Sequence, residues 1–165
     1  MAGPSIVALA AAHAARVLEI YGEGIATGKA TLEAEVPDWP AFDAGHLAAP
    51  RFVALLDGEV AGWVALSPYS TRAVYRGVCW ESVYVGAAFR GRGIGRALLE
   101  AVIRASEAAG IWTLLAGVEP ENVASLVLHE RAGFRRLGRH ERLGRDPQGR
   151  WRDVLILERR APDAT

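Results

Sequence analysis

Three glycines at alternate positions, flanked by arginines, carry the clearest chemical signal in this chain. They are Gly91, Gly93 and Gly95 in the segment Arg-Gly-Arg-Gly-Ile-Gly, which starts at Arg90. Alternating glycines suit a turn whose backbone N–H groups converge on an anion, because a bulky side chain would hold the anion away. A helix that begins at the turn adds the positive end of its dipole. The segment therefore predicts a cradle for the pyrophosphate of a nucleotide-derived cofactor.

The residues on either side of the turn predict the elements that position it. Residues 78–85 are rich in β-branched and aromatic side chains, which indicates a strand. Residues 94–109 place apolar side chains on one helical face, and Gly110 ends the pattern. Two common nucleotide motifs fit less well, because a P-loop has Lys after its last glycine and a dinucleotide fold has its glycines after the first strand. Here Gly95 is followed by Arg96, and about half of the chain precedes the motif.

The remaining sequence predicts one α/β domain over residues 1–160, with a disordered tail at 161–165. Hydrophobic patterns indicate further strands at 5–9, 51–56, 59–66, 113–118, 134–143 and 153–159, and helices at 11–25, 42–47 and 123–132. Asp57-Gly58, between two of these strands, is typical of a type I′ hairpin turn. The order of elements predicts a mixed β-sheet with helices on both faces.

Composition restricts the class of protein further. The chain has 165 residues, enough for a full core, and 51% of them are hydrophobic, which argues against global disorder. Equal numbers of basic and acidic residues, 19 of each, argue against strong nucleic-acid binding. The single Cys79 excludes an intrachain disulfide and a cysteine zinc site, and we expect no metal. A basic secretory leader and an apolar run of about 20 residues are both missing, so we expect a cytoplasmic enzyme without membrane contact.

The order Val83-Tyr84-Val85, four residues, then the glycine motif resembles the acetyl-CoA motif of the GNAT superfamily of N-acetyltransferases. Further segments resemble one branch of it, the phosphinothricin and methionine sulfoximine acetyltransferases. They are residues 19–21 with 27–33, the pattern Asn-x-x-Ser-x-x-Leu-His-Glu-x-x-Gly-Phe at 122–134, and Gly-x-Trp-x-Asp-Val at 149–154. The resemblance implies a GNAT fold whose splayed central strands bind acetyl-CoA. It also implies transfer of the acetyl group to the amine of a small amino acid or analogue.

The resemblance assigns the cofactor to three parts of the chain. The free edge of the central strand at residues 83–85 would pair with the pantetheine amides like an added strand. Asn122, where a helix begins, would bind the pantetheine arm, serve as the N-cap, or do both. Ser125 and Arg131 follow on the same helix. The ligands expected around the glycine turn are Arg90, Gly91, Arg92, Gly93, Ile94, Gly95 and Arg96. Each of the three arginines could equally be a solvated surface residue.

Attack of an amine on a thioester needs a base for the amine and proton donors for the groups that become anionic. Glu81, just before Ser-Val-Tyr-Val, is the expected base. Related chains usually carry Glu one residue earlier, where this chain has Trp80, and such a shift turns a strand side chain to the opposite face. Either a bulge restores the face or Glu81 is not the base. Tyr84 is expected as the acid toward the thiolate and His129 as a further catalytic group. Each also has a structural alternative: an exposed strand carboxylate, a core tyrosine and a structural histidine.

The acceptor is expected near the loop that precedes the central strand and near the N-terminal signature. The expected acceptor-binding residues are Thr31, Glu33, Arg72, Tyr75, Arg76, Trp80, Glu81 and Ser82. A fork from Arg72 or Arg76 suits the α-carboxylate of an amino acid, although both could be surface residues. Leu32 stands where the branch has Phe, so the side-chain pocket is expected to differ.

Other functions and an oligomeric state remain open from sequence. Eight arginines between residues 131 and 152 would suit a nucleic-acid or acidic-protein contact, although no stacking aromatics interleave with them. A protein N-terminus or an aminoglycoside is an alternative acceptor, and a CoA-binding module without activity is a further alternative. The branch generally forms homodimers, which is the partner we expect besides a small-molecule amine. More large aromatics are present than one small core would cover, namely Trp39, Trp63, Trp112 and Trp151.

Overall fold

A computed structural model describes residues 3–163, which build a seven-stranded mixed sheet with helices on both faces. The strands are β1 (Ser5–Ala8), β2 (Phe52–Leu56), β3 (Glu59–Pro68), β4 (Val78–Val85), β5 (Thr113–Val118), β6 (Arg135–Arg145) and β7 (Trp151–Arg160). The helices are α1 (Ala14–Ala26), α2 (Trp39–Gly45), α3 (Ile94–Ala108) and α4 (Val123–Arg131), with 3-10 turns at Ala11–His13, Ala73–Tyr75 and Ala87–Phe89. The fold class predicted from sequence is confirmed.

The sheet opens in its centre between β4 and β5. The strand order is β1-β2-β3-β4-β5-β7-β6, and β4 and β5 run parallel. Their ladder joins Val78, Cys79 and Trp80 to residues 113–115 and then stops. Residues 81–85 therefore carry backbone N–H and C=O groups on that side that no strand pairs. This is the splay that the resemblance implied.

β4 pairs with β3 without interruption, from Val85 opposite Gly62 to Cys79 opposite Pro68. A continuous register leaves no room for a bulge, so the side chains of β4 alternate strictly between the two faces of the sheet. Glu81 therefore lies on the same face as Cys79, and Trp80 lies on the opposite face.

Two apolar clusters hold the helices against opposite faces. Leu98 and Val102 of α3 are fully buried in one cluster with Val64 of β3. Ile20 of α1 is fully buried in the other cluster with Trp63 of β3. Alternation along β3 supplies both clusters, because successive strand residues point to opposite faces. Within residues 3–163, no helix combines the length and the apolar character needed to cross a bilayer.

The four tryptophans taken as a sign of a dimer lie in different environments. Trp63 is fully buried and stacks on Tyr84, with ring centroids 4.8 Å apart. Trp39 and Trp112 are partly buried, and Trp151 is 51% exposed. Of the four, the core covers Trp63 completely, because α1 and α2 both pack over it on one face of the sheet.

Element ends differ from the predicted ones where capping decides them. α2 begins at Trp39 rather than at residue 42, because Oδ1 of Asp38 accepts from the N–H of Ala41 at 2.9 Å and Pro40 lies in the first turn. Ala161, predicted as tail, donates its N–H to the carbonyl of Trp112 at 3.0 Å. Residues 164–165 of the predicted tail lie outside the described residues.

Candidate active site

A groove of about 530 Å³ follows the unpaired edge of β4 and continues past the glycine turn and one face of α4. Residues predicted to bind the cofactor that line it are Val83, Tyr84, Val85, Arg90, Gly91, Gly93, Ile94, Gly95, Arg96, Asn122 and Ser125. Two predicted cofactor residues do not line it. The guanidinium of Arg92 lies over the ring of Phe89, 5.7 Å from its centroid, and Arg131 is exposed at the end of α4.

The glycine turn presents unpaired amides at the start of α3. Gly91 and Gly93 have φ angles of +73° and +78°, in the left-handed region that favours glycine. The first helical bond runs from the N–H of Ala97 to the carbonyl of Gly93 at 3.1 Å, and no side chain caps the helix. The amides of residues 94–96 therefore have no helical acceptor, which makes the turn a site for an anion.

The third glycine is required for a different reason. A Cβ atom at Gly95 would lie 3.2 Å from Cδ2 of Leu128 on α4. Contacts of that length are tight, so the missing side chain lets the first turn of α3 approach α4 closely. Sequence attributed all three glycines to the anion, whereas Gly95 also serves the contact between the two helices.

Asn122 caps α4 and also faces the groove. Its Oδ1 accepts from the N–H of Ser125 at 3.2 Å, which is N-cap geometry. Its Nδ2 group has no partner among the described residues and can donate to a ligand. The cap and ligand roles weighed from sequence are therefore compatible in one side chain.

Glu81 of β4 and His129 of α4 form a buried hydrogen-bonded pair that lines the groove. Nε2 of His129 contacts Oε1 of Glu81, and the two side chains are 3% and 2% exposed. Nδ1 of His129 lies 2.7 Å from the carbonyl oxygen of Ser125, which can only accept, so Nδ1 carries a proton.

The charge of this pair follows from opposing effects on the imidazole. Burial disfavours the charged ring, but the Glu81 carboxylate and the hydrogen bonds outweigh it and raise the pKa of His129 above its ordinary value. The contact with Glu81 therefore favours the charged form of the imidazole. Such a pair can fix a carboxylate in place and keep its second oxygen available.

The straight register of β4 explains how Glu81 reaches His129. Glu81 shares its face with Val83, which packs against the α3 cluster, and is 6% exposed. The alternative of an exposed strand carboxylate is therefore wrong. Trp80, at the position where the resembled branch carries Glu, points to the other face. No bulge therefore gives Glu81 the register of that branch, and its role as base stays a prediction. Sequence named Glu81 and His129 separately but not their contact, because 48 residues separate them.

A smaller pocket of about 210 Å³ adjoins the groove, and Glu81, Ser82, Tyr84 and Gly117 line both. Of the residues predicted to bind the acceptor, Thr31, Trp80, Glu81 and Ser82 line this pocket, and Glu33, Arg72, Tyr75 and Arg76 do not.

Arg72 and Arg76, which lie outside this pocket, each contact a nearby aromatic ring. The guanidinium of Arg72 lies 5.3 Å from the ring centroid of Tyr75, and that of Arg76 lies 5.6 Å from the ring centroid of Trp112. Both arginines are exposed.

Tyr84 stands at the junction of groove and pocket and keeps its proton. Burial raises the pKa of Tyr84 well above its usual range, so the phenol is a donor at neutral pH. The ring fits because residue 24 is glycine: a Cβ atom there would lie 2.5 Å from Cε1 of Tyr84. Tyr84 thus packs against the core and also lines the groove and the pocket, so its expected role as an acid stays a prediction.

Sequence missed several lining residues. Gly24, Thr27, Lys29 and Leu128 line the groove, and Glu119 lines the pocket. Glu119 follows directly after β5, at the place where the sheet opens, and that position is the signal by which it could have been found. Lys29 is the one lysine of the chain.

A mixed sheet opened between two central strands, with a glycine turn at the mouth of the opening, defines the class of this protein. The sequence profile of the Acetyltransferase (GNAT) family matches residues 17–134. The chain belongs to this family, as its motifs predicted.

Individual relatives refine the comparison. The L-methionine sulfoximine/L-methionine sulfone acetyltransferase of Pseudomonas paraeruginosa is 36% identical over 101 residues, 61% of this chain and 58% of that protein, so the match covers less than two thirds of it. The L-amino acid N-acyltransferase MnaT of Escherichia coli is 31% identical over 93% of this chain and 94% of its own length. The structure of a GNAT superfamily phosphinothricin acetyltransferase from Sinorhizobium meliloti in complex with AcCoA superposes with a TM-score of 0.89, at 29% identity, over 99% of this chain and 91% of that one.

Proposed function

We propose that this chain is an acetyl-CoA-dependent N-acetyltransferase that acetylates the amino group of a small amino acid or amino-acid analogue. One observation carries the proposal: the Glu81–His129 pair lies where a long groove and a small pocket meet. A thioester in the groove and an amine in the pocket would come together at a carboxylate. The named relatives act, by their names, on methionine sulfoximine, methionine sulfone, phosphinothricin or L-amino acids.

The groove fits acetyl-CoA by its own chemistry. The uncapped amides of residues 94–96 suit the pyrophosphate, the unpaired edge of residues 83–85 suits the pantetheine amides, and Nδ2 of Asn122 faces the same groove. When bound, acetyl-CoA supplies an acetyl group activated as a thioester. The family name and the AcCoA complex of the Sinorhizobium relative support this donor.

Glu81 and Tyr84, where the groove meets the pocket, are each assigned one of the two proton transfers that the reaction needs. Oε2 of Glu81 accepts no hydrogen bond from the described residues and is free to take the proton of the attacking amine. His129 contacts the other oxygen, Oε1, and holds the carboxylate in place. Tyr84 holds a proton that it can give to the leaving thiolate, because burial keeps its phenol protonated. Glu81 and His129 thus serve the amine, and Tyr84 serves the thiol.

The small pocket favours a compact acceptor. Leu32, Trp80 and Val154 give it apolar walls, and its volume is about 210 Å³. These features support an amino-acid side chain over an aminoglycoside or a protein N-terminus. Arg72 and Arg76 line no part of this pocket, so their binding of the α-carboxylate stays a prediction that the acceptor assay tests.

Thiol release from acetyl-CoA, measured across a panel of acceptors, tests the proposal. We expect turnover with amino-acid analogues such as methionine sulfone and much slower turnover with matched amines that lack the carboxylate. Removing Arg72 or Arg76 is expected to raise the acceptor KM with little change in kcat. Equal rates for amino acids and simple amines would count against the assignment of the acceptor.

The arginine-rich segment that suggested nucleic-acid binding contains mostly paired arginines. Of the eight arginines between residues 131 and 152, five form ion pairs with carboxylates, namely Arg135, Arg136, Arg139, Arg150 and Arg152. Arg145 lies over the ring of Trp151, with its Cζ 4.3 Å from the centroid. These contacts support a folded surface of internal pairs over a phosphate-binding stripe.

We also propose a homodimer that works in the cytoplasm. β6 is an edge strand of the sheet and forms a hairpin with β7. Three large apolar side chains of this hairpin, Leu137, Leu143 and Trp151, are 47%, 53% and 51% exposed, which supports a contact between copies. A mass of 17.7 kDa by light scattering up to high micromolar concentration would rule the dimer out. The free thiol of Cys79 supports a reducing compartment, and cell fractionation tests that location.

A further inference from the structure

Two buried carboxylates line the acceptor pocket, and each has an oxygen without a partner. Glu81 is 6% exposed and Glu119 is 4% exposed. Among residues 3–163, neither Oε2 of Glu81 nor Oε1 of Glu119 accepts a hydrogen bond. A buried carboxylate oxygen that lacks a donor is unfavourable, so a ligand that brings an N–H group is favoured there.

Arg152 of β7 fixes the orientation of Glu119. Its Nη2 donates to Oε2 of Glu119 at 2.6 Å and to Oε2 of Glu121 at 3.1 Å, and its Nη1 lies 3.7 Å from Oδ2 of Asp146. With three carboxylates around it, Arg152 has little capacity left for an anionic ligand. Burial raises the pKa of Glu119 despite the opposing charge of Arg152, and Glu121 and Asp146 act in the same direction as burial.

The position of Glu119 separates it from the reacting amine. Glu81 lines both the groove and the pocket, whereas Glu119 lines the pocket alone. A group bound at Glu119 therefore belongs to the acceptor and lies away from the junction. The described residues that line this pocket include no lysine or arginine, so an anionic side chain would find two carboxylates and no free cation.

We propose that Glu119 binds a second N–H group of the acceptor, carried on its side chain, and that the pocket disfavours an anionic side chain. Glu119 is then a substrate-binding residue that sets specificity, and Arg152 is its positioning residue. The inference rests on the proposed function, since it names the acceptor class of the same site.

Binding calorimetry in the presence of coenzyme A tests this without relying on turnover. Methionine sulfoximine and methionine sulfone differ by one N–H in place of an oxygen, and phosphinothricin carries an anionic side chain. We expect the wild-type chain to bind the sulfoximine about tenfold more tightly than the sulfone, and phosphinothricin most weakly, because a hydrogen bond to a buried charge has that magnitude. Glu119→Gln is expected to remove most of the difference between the first two ligands.

A matched control separates this effect from a general loss of charge. Glu121→Gln removes a carboxylate bound to the same Arg152 but 61% exposed, and we expect it to keep the preference. Equal affinity for sulfoximine and sulfone in the wild type, or an unchanged preference in Glu119→Gln, overturns the inference even if thiol release supports the proposed acetyltransferase. A preference that depends on Glu119 supports the inference even if no amino-acid analogue is turned over.

The pH dependence of ligand preference tests whether Arg152 positions Glu119 and keeps it charged, because a purely structural contact would leave that dependence unchanged. In Arg152→Gln the cation beside Glu119 is gone, so the pKa of Glu119 rises further and the carboxylate ionises only at higher pH. The preference for the sulfoximine is expected to shift to higher pH by the same amount. A pH dependence identical to wild type contradicts the positioning role.

Discussion

Replacing Glu81 by glutamine tests the proposed base with little change in shape. In the native site Oε1 of Glu81 contacts Nε2 of His129, and Oε2 accepts no hydrogen bond from the described residues. Glutamine keeps the size, but its amide cannot accept the proton of an ammonium group. General acid–base groups contribute about 10²–10⁴-fold in rate, so kcat is expected to fall by that range. The affinity for acetyl-CoA should stay near wild type, because the glycine turn is untouched.

The expected cost in stability follows from the hydrogen bonds. Removing one member of a buried ion pair destabilises by about 3–5 kcal/mol when the other charge stays buried. Here His129 can lose its Nε2 proton and accept a hydrogen bond from the new amide, while Nδ1 still donates to Ser125. We therefore expect a loss of about 1–2 kcal/mol, close to one hydrogen bond to a charged group. Glu81→Gln should fold and bind acetyl-CoA.

The assay is steady-state thiol release across pH, with acetyl-CoA affinity measured by calorimetry. Loss of the base should remove the acid limb of the pH–rate profile. Glu130→Gln is the matched control, because Glu130 neighbours His129 on α4 but pairs with Arg136 at the surface. A Glu81→Gln enzyme with normal kcat and an unchanged acid limb would refute the mechanism and make the pair structural.

Three further predictions follow from individual contacts. Gly93→Val should weaken acetyl-CoA binding at least tenfold by calorimetry. It should also lower the free energy of unfolding by about 1–2 kcal/mol, because φ at Gly93 is +78°. Gly138→Val is the control, because a Cβ atom there meets open space, and it should leave binding intact. Gly24→Ala should lower Tm by about 2–8 °C and reduce kcat, because its Cβ would displace the ring of Tyr84; an unchanged Tm would contradict the packing. The raised pKa of His129 stabilises the fold fully below its ordinary pKa of about 6.5, and this stability is lost as pH rises through the folded pKa. Denaturant unfolding of His129→Asn should lack that fall with pH, and an identical fall would contradict it.

The elements next to the site were predictable because their signals are local. The predicted bounds of β4 and β5 agree with the structure, and Asp57 and Gly58 have the positive φ angles of a type I′ turn, +53° and +83°. A β-branched run and a turn dipeptide depend on neighbours in sequence, so one chain is enough to recognise them.

The contacts that make the site were not predictable, because each depends on residues far apart in sequence. The burial of Glu119 depends on Arg152, which follows 33 residues later across the sheet. The partner of Glu81 depends on the absence of a bulge in β4, and one extra residue would have turned it to the other face. Arg72 and Arg76 were assigned to the acceptor by residue type, and sequence did not show that each guanidinium lies over a nearby aromatic ring.

The short ladder between β4 and β5 divides the sheet into two leaves that are joined at one end. Strands β1 to β4 form one leaf and β5 to β7 the other, and three residue pairs connect them. A ligand laid along residues 81–85 would supply the hydrogen-bond partners that β5 withholds, so it would act as a strut between the leaves. The amide hydrogens of this stretch that point away from β3 should therefore exchange quickly in the free chain and slow sharply when acetyl-CoA is added. Thermal unfolding should shift upward with ligand concentration. Slowed exchange confined to residues 81–85 and the glycine turn would show that acetyl-CoA binds along this edge of β4.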